Sequence, residues 1–216
     1  MTAPLIVEPD QLFWAALRGE PVPAAAWPAI ERRARREGVV AFLAARHLDF
    51  PKREAIRRDA AAAHLVRLRL IRRITAILEK VGRPWALLKG LDLAPRLYDD
   101  PLMRPSGDCD ILVLPEDRTT FSAALAAAGY EPTSHHIELH VGQDGQVDLH
   151  DSFVNADRIT ARRHVLATPR DWPARIEYLP TEIGRLPVLG RNDLACYLTA
   201  HAVHHHGATG ARWLLD

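Results

Sequence analysis

Apolar residues recur at steps of three and four through most of the first eighty positions, the spacing of helices that bury one face. Between residues 24 and 48 the series is Ile30, Ala34, Val40, Leu43 and Ala44, with Arg and Glu between them, and Gly38 marks a break between two helices. A longer helix is predicted from Lys52 to Lys80 on Ile56, Ala60, Ala63, Val66, Leu70, Ile74, Ile77 and Leu78. Its opposite face carries Arg57, Arg58, Arg67, Arg69, Arg72 and Arg73. A solvated face is the ordinary expectation there, and a surface for an acidic or phosphorylated partner is the sharper one.

The pattern changes after Gly82. Trp85 to Leu88 is a short apolar run that ends in Lys89-Gly90, a strand entering a turn. Helical spacing returns from Leu91 to Tyr98, followed by a loop to Ser106. A strand from Asp108 to Leu114 then stands between Gly107 and Pro115. Glu116 to Ala128 reads as a helix with Phe121, Leu125 and Ala128 on one face, stopped by Gly129. Two strands, Ile137 to Val141 and Gln146 to His150, flank Gln143-Asp144-Gly145, whose Asp-Gly pair is a hairpin signal. From Ser152 to Gly190 charges and prolines mix without a clear element. Asn192 caps a helix through Leu194, Leu198 and Ala202 that ends at Gly207. Residues 211–216 open another apolar pattern, expected as a short last helix or as the start of a longer one.

Composition narrows the classes. A chain of 216 residues with 48% hydrophobic residues fits one domain, or one domain with a helical extension. Lys+Arg 28 against Asp+Glu 27 leaves a net charge of +1, which argues against a protein that coats nucleic acid but not against a nucleotide substrate. Cys109 and Cys196 make neither a disulfide framework nor a cysteine zinc site. The opening MTAPLIVEPDQLFW lacks a charged segment followed by a sustained apolar one, and no stretch approaches the ~20 apolar residues of a membrane span. A reduced, cytoplasmic protein is the default expectation, with no membrane partner. The heavy use of Ala, Arg and Pro is like that of GC-rich bacterial genomes.

The chemistry is concentrated in Gly107-Asp108-Cys109-Asp110-Ile111-Leu112-Val113. In a strand, residues i and i+2 point to one face about 6.5–7 Å apart. Asp108 and Asp110 are therefore expected to project together, with Cys109, Ile111 and Val113 turned into a core. Two such carboxylates repel, and a divalent cation between them removes the penalty. Asp148 shares a face with Gln146 and His150 in the later strand, so three carboxylates converge if the two strands are neighbours. That set would hold Mg²⁺ or Mn²⁺ on a nucleoside triphosphate. Each piece has an ordinary alternative: a solubilising acid pair at a strand edge, an Asp beside a turn, a common Lys-Gly turn. The order of the pieces along the chain is what favours the site.

Leu-Leu-Lys-Gly-Leu-Asp-Leu-Ala-Pro-Arg-Leu-Tyr at 87–98 and Arg-Pro-Ser-Gly-Asp-Cys-Asp-Ile-Leu-Val at 104–113, followed by Asp148-Leu-His, resemble the uncharacterised nucleotidyltransferase family of the polymerase-beta-like superfamily. The close likeness covers residues 85–150, with Cys109 where that family usually has Ile. The resemblance implies an α/β (α+β) fold: a small mixed sheet flanked by helices over 81–190, with a helical region at 1–80 and a C-terminal helical segment at 191–216. It implies Asp108 and Asp110 as metal ligands, and Asp148 as a third carboxylate that also helps deprotonate the acceptor. Gly90 would open a helix facing the triphosphate, with Gly107 and Lys89 also at the nucleotide. Arg104 is a further candidate for the triphosphate, or an ordinary loop arginine.

Eleven histidines include His201-Ala-Val-His204-His205-His206, where His201 and His205 lie one helical turn apart. A zinc site there lacks a third ligand and the His-Glu-x-x-His pattern. The resemblance instead makes this helix, with Trp213 and Asp216, a lid or packing element beside the site. His150 either touches substrate and orients Asp148 or is a half-buried structural histidine. The expected activity is transfer of a nucleoside monophosphate from an NTP, taken as ATP, to an unidentified small-molecule, peptide or protein acceptor, with release of pyrophosphate. The rivals are a kinase-like phosphotransferase on the same metal site and a non-catalytic, antitoxin-like binding partner.

Overall fold

In the computed structural model, which describes residues 9–134, 136, 138–153, 168–206 and 210–216, the first part of the chain is helical. The helices are α1 (Pro9–Leu17), α2 (Trp27–Arg36), α3 (Val40–Arg46) and α4 (Arg53–Val81). Gly38, at φ 70°, separates α2 from α3 as the break in the pattern requires. Phe13, Trp27, Ile30, Leu43, Phe50 and Ile56 pack these helices around one buried cluster.

The first strand, β1 (Trp85–Leu88), and α5 (Leu93–Leu97) follow, then β2 (Cys109–Val113), α6 (Arg118–Ala127), β3 (Glu131–Pro132), β4 (Leu139–Gly142) and β5 (Gly145–His150). The last elements are β6 (Glu177–Thr181), β7 (Gly184–Val188), α7 (Arg191–His206) and α8 (Ala211–Leu215). All seven strands form one sheet in the order β3-β4-β5-β2-β1-β7-β6. Strand β2 lies antiparallel to β1 and parallel to β5, and β1 is parallel to β7, so the sheet is mixed as the family likeness implies.

Alternation along the central strands sorts the sheet into two faces. Trp85, Leu87, Cys109, Ile111, Val113, Val147 and Leu149 turn to one side, where Leu70, Ile74 and Leu78 of α4 and Phe121 and Leu125 of α6 cover them. Ala86, Leu88 and Leu112 turn to the other side, beside Leu194 and Tyr197 of α7. Asp110, Asp148 and His150 fall on this second face by the same alternation.

Three differences from the pattern-based expectation have physical causes. The stretch 152–190 contains the β6–β7 hairpin, paired from Glu177↔Val188 to Thr181↔Gly184, whose Pro180, Pro187 and charged residues hide its alternation. Within α4 the buried stripe shifts from Ala60 to Leu68, Ile71 and Ile74, because the helix passes from the helical cluster onto the sheet; Val66 is left 58% exposed. The arginine face is not uniformly solvated either. Arg67 is buried and donates to the carbonyls of Ser106 and Asp108, and to Ser106 Oγ at 3.3 Å. It occupies the heptad position between Ala60 and Ile74, so the covered stripe carries an arginine that needs these acceptors. Ile137 and Gly207, the expected bounds of a strand and of the last long helix, lie outside the described residues. No helix among the described residues is long and apolar enough to cross a membrane.

Candidate active site

The parallel register of β2 with β5 sets Asp110 opposite Asp148 and Leu112 opposite His150. One ligand atom from each of Asp110, Asp148 and His150 lies within 4.8 Å of the others. Asp110 and His150 are buried, and Asp148 is half-buried at the open side of the group.

Two cations hold the Asp110 carboxylate. Lys89 Nζ lies 2.8 Å from Oδ1, and His150 Nε2 lies 3.0 Å from the same oxygen. His150 Nε2 also stands 3.4 Å from Asp148 Oδ2. Burial alone would raise the Asp110 pKa, but the bond from His150 and the charge of Lys89 hold it well below the usual carboxylate range. Asp148 is lowered as well: burial is the largest influence and works against this, but the bond to His150 together with the charges of His150 and Lys89 outweighs burial and the charge of Asp110. Burial pulls the His150 pKa down, and its bonds to the two carboxylates override that and push it up to about 9. The imidazole is therefore a cation at neutral pH, a donor to both acids.

The turn after β1 delivers Lys89. Its backbone is left-handed at φ 38°, uncommon for a residue with a side chain, and Gly90 follows at φ 57°. A Cβ on Gly90 would stand 2.6 Å from Ser106 Oγ, so glycine is demanded by the approach of the loop before β2. Gly107, by contrast, has open space where a Cβ would go.

Not every expected residue joins the group. Asp108 lies in a bend one residue ahead of β2 and is exposed, outside the group formed by Asp110, Asp148 and His150. Its carbonyl is held by Arg67. Arg104 is buried and grips Asp216: Nε donates to Oδ1 at 2.6 Å and Nη2 donates to Oδ2. Tyr98 donates to the same Oδ1 at 2.8 Å. Arg104 Nη1 has no hydrogen-bond partner among the described residues. His201 is buried on α7 with its ring centroid 5.7 Å from that of Tyr197, while the side chains of His204, His205 and Trp213 lie outside the description. His140 is accounted for by Ser122 Oγ at 2.8 Å and the Glu138 carbonyl at 3.0 Å.

Sequence reasoning missed Arg67, Asp92 and Tyr197. An arginine at the heptad position between two buried residues was a readable signal for Arg67. Tyr197, spaced from Leu194 and His201 along one helix face, reads as an ordinary core aromatic.

The carboxylates of Asp110 and Asp148, converging beside His150 and Lys89 on the face of a mixed sheet, offer oxygen ligands suited to a hard divalent cation. No curated protein and no solved structure matches the chain. The family model described as "Uncharacterised nucleotidyltransferase" matches residues 23–216, nearly the whole length, and the chain belongs to that family.

Proposed function

We propose that the chain moves a nucleoside monophosphate from an NTP, taken as ATP, to an acceptor, with release of pyrophosphate. The observation that carries this reading is the convergence of Asp110, Asp148 and His150 within 4.8 Å on one sheet face. Asp110 and Asp148 would hold Mg²⁺ or Mn²⁺, with Asp108 completing the carboxylate set from the edge of the strand. When bound, the cation neutralises triphosphate charge and polarises the phosphorus under attack.

The chain's own residues do the positioning. Lys89 sits 2.8 Å from Asp110 and supplies a positive charge beside incoming phosphate oxygens. Arg104, buried and paired with Asp216, adds its charge to the positive side of the site. Arg67 fixes the Ser106–Asp108 backbone, and Gly90 lets that loop close against the turn; Gly107 has room to accept a ligand nearby. Asp148, the more exposed acid, takes the proton of the attacking acceptor group, and His150 holds it in place at 3.4 Å. His201 lies on α7 beside Tyr197, and His205 follows one turn later on that helix. The acceptor is a small molecule, a peptide or a protein side chain. Free Cys109 and Cys196 fit work in a reducing cytoplasm.

The test uses ATP labelled in parallel at the α and γ phosphates, with Mg²⁺ and candidate acceptors of each class. Transfer of the α label, abolished in Asp110→Asn, is the expected result. Transfer of the γ label would replace this reading with phosphoryl transfer. Failure of the intact protein to bind any of the four NTPs with either metal would remove it.

A further inference from the structure

Tyr197 stands on α7 against the sheet face that carries the carboxylates, in one cluster with Leu88 and Leu112. Leu88 is paired with Asp110 across β1 and β2, and Leu112 with His150 across β2 and β5, so the ring lies over the strands that build the site. Its edges are fixed by Phe153, with ring centroids 5.7 Å apart, and by His201 at the same separation. The whole residue is 0% exposed, yet its hydroxyl has no hydrogen-bond partner among the described residues.

A buried hydroxyl without a partner is costly, and phenylalanine would fill the same space without that cost. The hydroxyl also belongs to a set. Arg104 Nη1 is likewise buried and without a partner among the described residues, and the charge of Asp110 acts on both groups, so two donors beside the site lack an acceptor. The carboxylates of Asp110, Asp148 and Asp108 act together, after burial, to keep the Tyr197 phenol protonated and thus a donor. An incoming group rich in acceptor oxygens is what such a set lacks.

We propose that the Tyr197 hydroxyl is a substrate-binding group of this site and donates a hydrogen bond to a phosphate oxygen of the nucleoside triphosphate. The assignment rests on the nucleotidyltransferase reading above. It adds a contact from α7, so that this helix takes part in holding the nucleotide as well as covering the sheet.

Tyr197→Phe removes only the oxygen. The probes are Mn²⁺ alone and the α,β-methylene analogues of the four NTPs with Mg²⁺, followed by calorimetry on the full chain, with a thermal melt of the protein without ligand. The variant is expected to melt at the wild-type temperature or above and to bind Mn²⁺ as wild type does. Its affinity for the preferred nucleotide should fall roughly ten-fold or more, as for a lost hydrogen bond to a charged acceptor. An unchanged nucleotide affinity in Tyr197→Phe, with binding lost in Asp110→Asn, overturns the role of Tyr197 and leaves the nucleotidyltransferase reading standing. A melting temperature lowered by more than about 3 °C also overturns it, because the hydroxyl would then have a structural partner. Nucleotide binding that survives Asp110→Asn, or is absent from the wild type, overturns the underlying reading instead.

Discussion

Asp216 and Asp110 are both buried carboxylates with cationic partners, and they are held in opposite ways. Asp216, with its side chain 2% exposed, is gripped by the planar fork of Arg104 and by the Tyr98 hydroxyl. Asp110 is held at a single oxygen by a lysine and a histidine, each a point donor, and a second acid lies opposite it across the strands. A two-pronged guanidinium contact is preorganised and hard to exchange, whereas an ammonium on a four-carbon stem moves away with little rearrangement. The first pair ties the last residues of the chain to the loop before β2. The second is an arrangement in which one cation can be traded for another. Similar burial thus serves as a clasp in one place and, in the proposed reading, as a binding site in the other.

The comparison breaks most visibly at the clasp. Asp216→Ala leaves Arg104 buried without its partner, at an expected cost of about 3–5 kcal/mol. Denaturant unfolding should show this as a lower midpoint at unchanged slope. The double change Arg104→Met/Asp216→Leu should recover most of the loss, since apolar residues of similar size need no partner. A loss under about 1 kcal/mol for Asp216→Ala would mean that the contact is replaced by water and is no clasp.

Asp92 sharpens the comparison from the other side. It is fully buried, but only Oδ1 is engaged, by Arg96 at 2.9 Å, while Oδ2 has no partner among the described residues. Arg96 is shared with the Leu189 carbonyl and with Glu177. Burial therefore wins, and the Asp92 pKa rises to about 6 despite the arginine. With a folded pKa above the unfolded one, the native state binds the extra proton, so acidification from pH 6 towards 4 favours folding through this group. The effect is of the order of 2–3 kcal/mol. Other carboxylates, Asp110 and Asp148 among them, change stability in the opposite sense, so the readout is the difference between the wild-type and Asp92→Asn stability curves. That difference should shift in favour of wild type as pH falls across this window. A flat difference would show that Asp92 is already paired as completely as Asp216.

How much of this was legible in the sequence follows from the range of each interaction. The central strands β1, β2 and β5 alternate cleanly, so Asp110, Asp148 and His150 could be assigned to one face before their neighbours were known. The turn at Lys89-Gly90 was visible, but not that Gly90 is required by Ser106, a contact between separate loops. Asp108 stands one residue ahead of β2, which begins at Cys109, so the alternation that assigns Asp110 to a face does not by itself fix the direction of Asp108. The grip of Asp216 on Arg104 joins positions 112 residues apart, and no local pattern encodes it. The hairpin of β6 and β7 was hidden for a different reason: Pro180 sits in the edge strand β6, where proline is tolerated, and Pro187 interrupts β7, so the apolar alternation is broken.

If Asp110 belongs to an exchangeable site, metal should stabilise the folded protein and do so through that residue. At about a hundred-fold excess over its dissociation constant, Mn²⁺ adds roughly 2.7 kcal/mol by mass action. A thermal melt should record this as a rise of several degrees in wild type and none in Asp110→Asn. An equal rise in both would place the metal elsewhere on the molecule.

The smallest effect separates the two kinds of cation most directly. Lys89 Nζ occupies Asp110 Oδ1 at 2.8 Å, so a metal ion approaching this carboxylate has to displace it or share the charge. Removing the ammonium in Lys89→Met should therefore tighten Mn²⁺ alone by a few-fold, about 1 kcal/mol for a partly screened ion pair. Nucleotide with metal should respond the other way, because the same ammonium is then free to meet phosphate oxygens. Two titrations on one variant, moving in opposite directions, are expected only if Lys89 alternates between the acid and the substrate. If both affinities fall together, Lys89 is a fixed support for Asp110, and the two buried carboxylates differ in composition but not in kind.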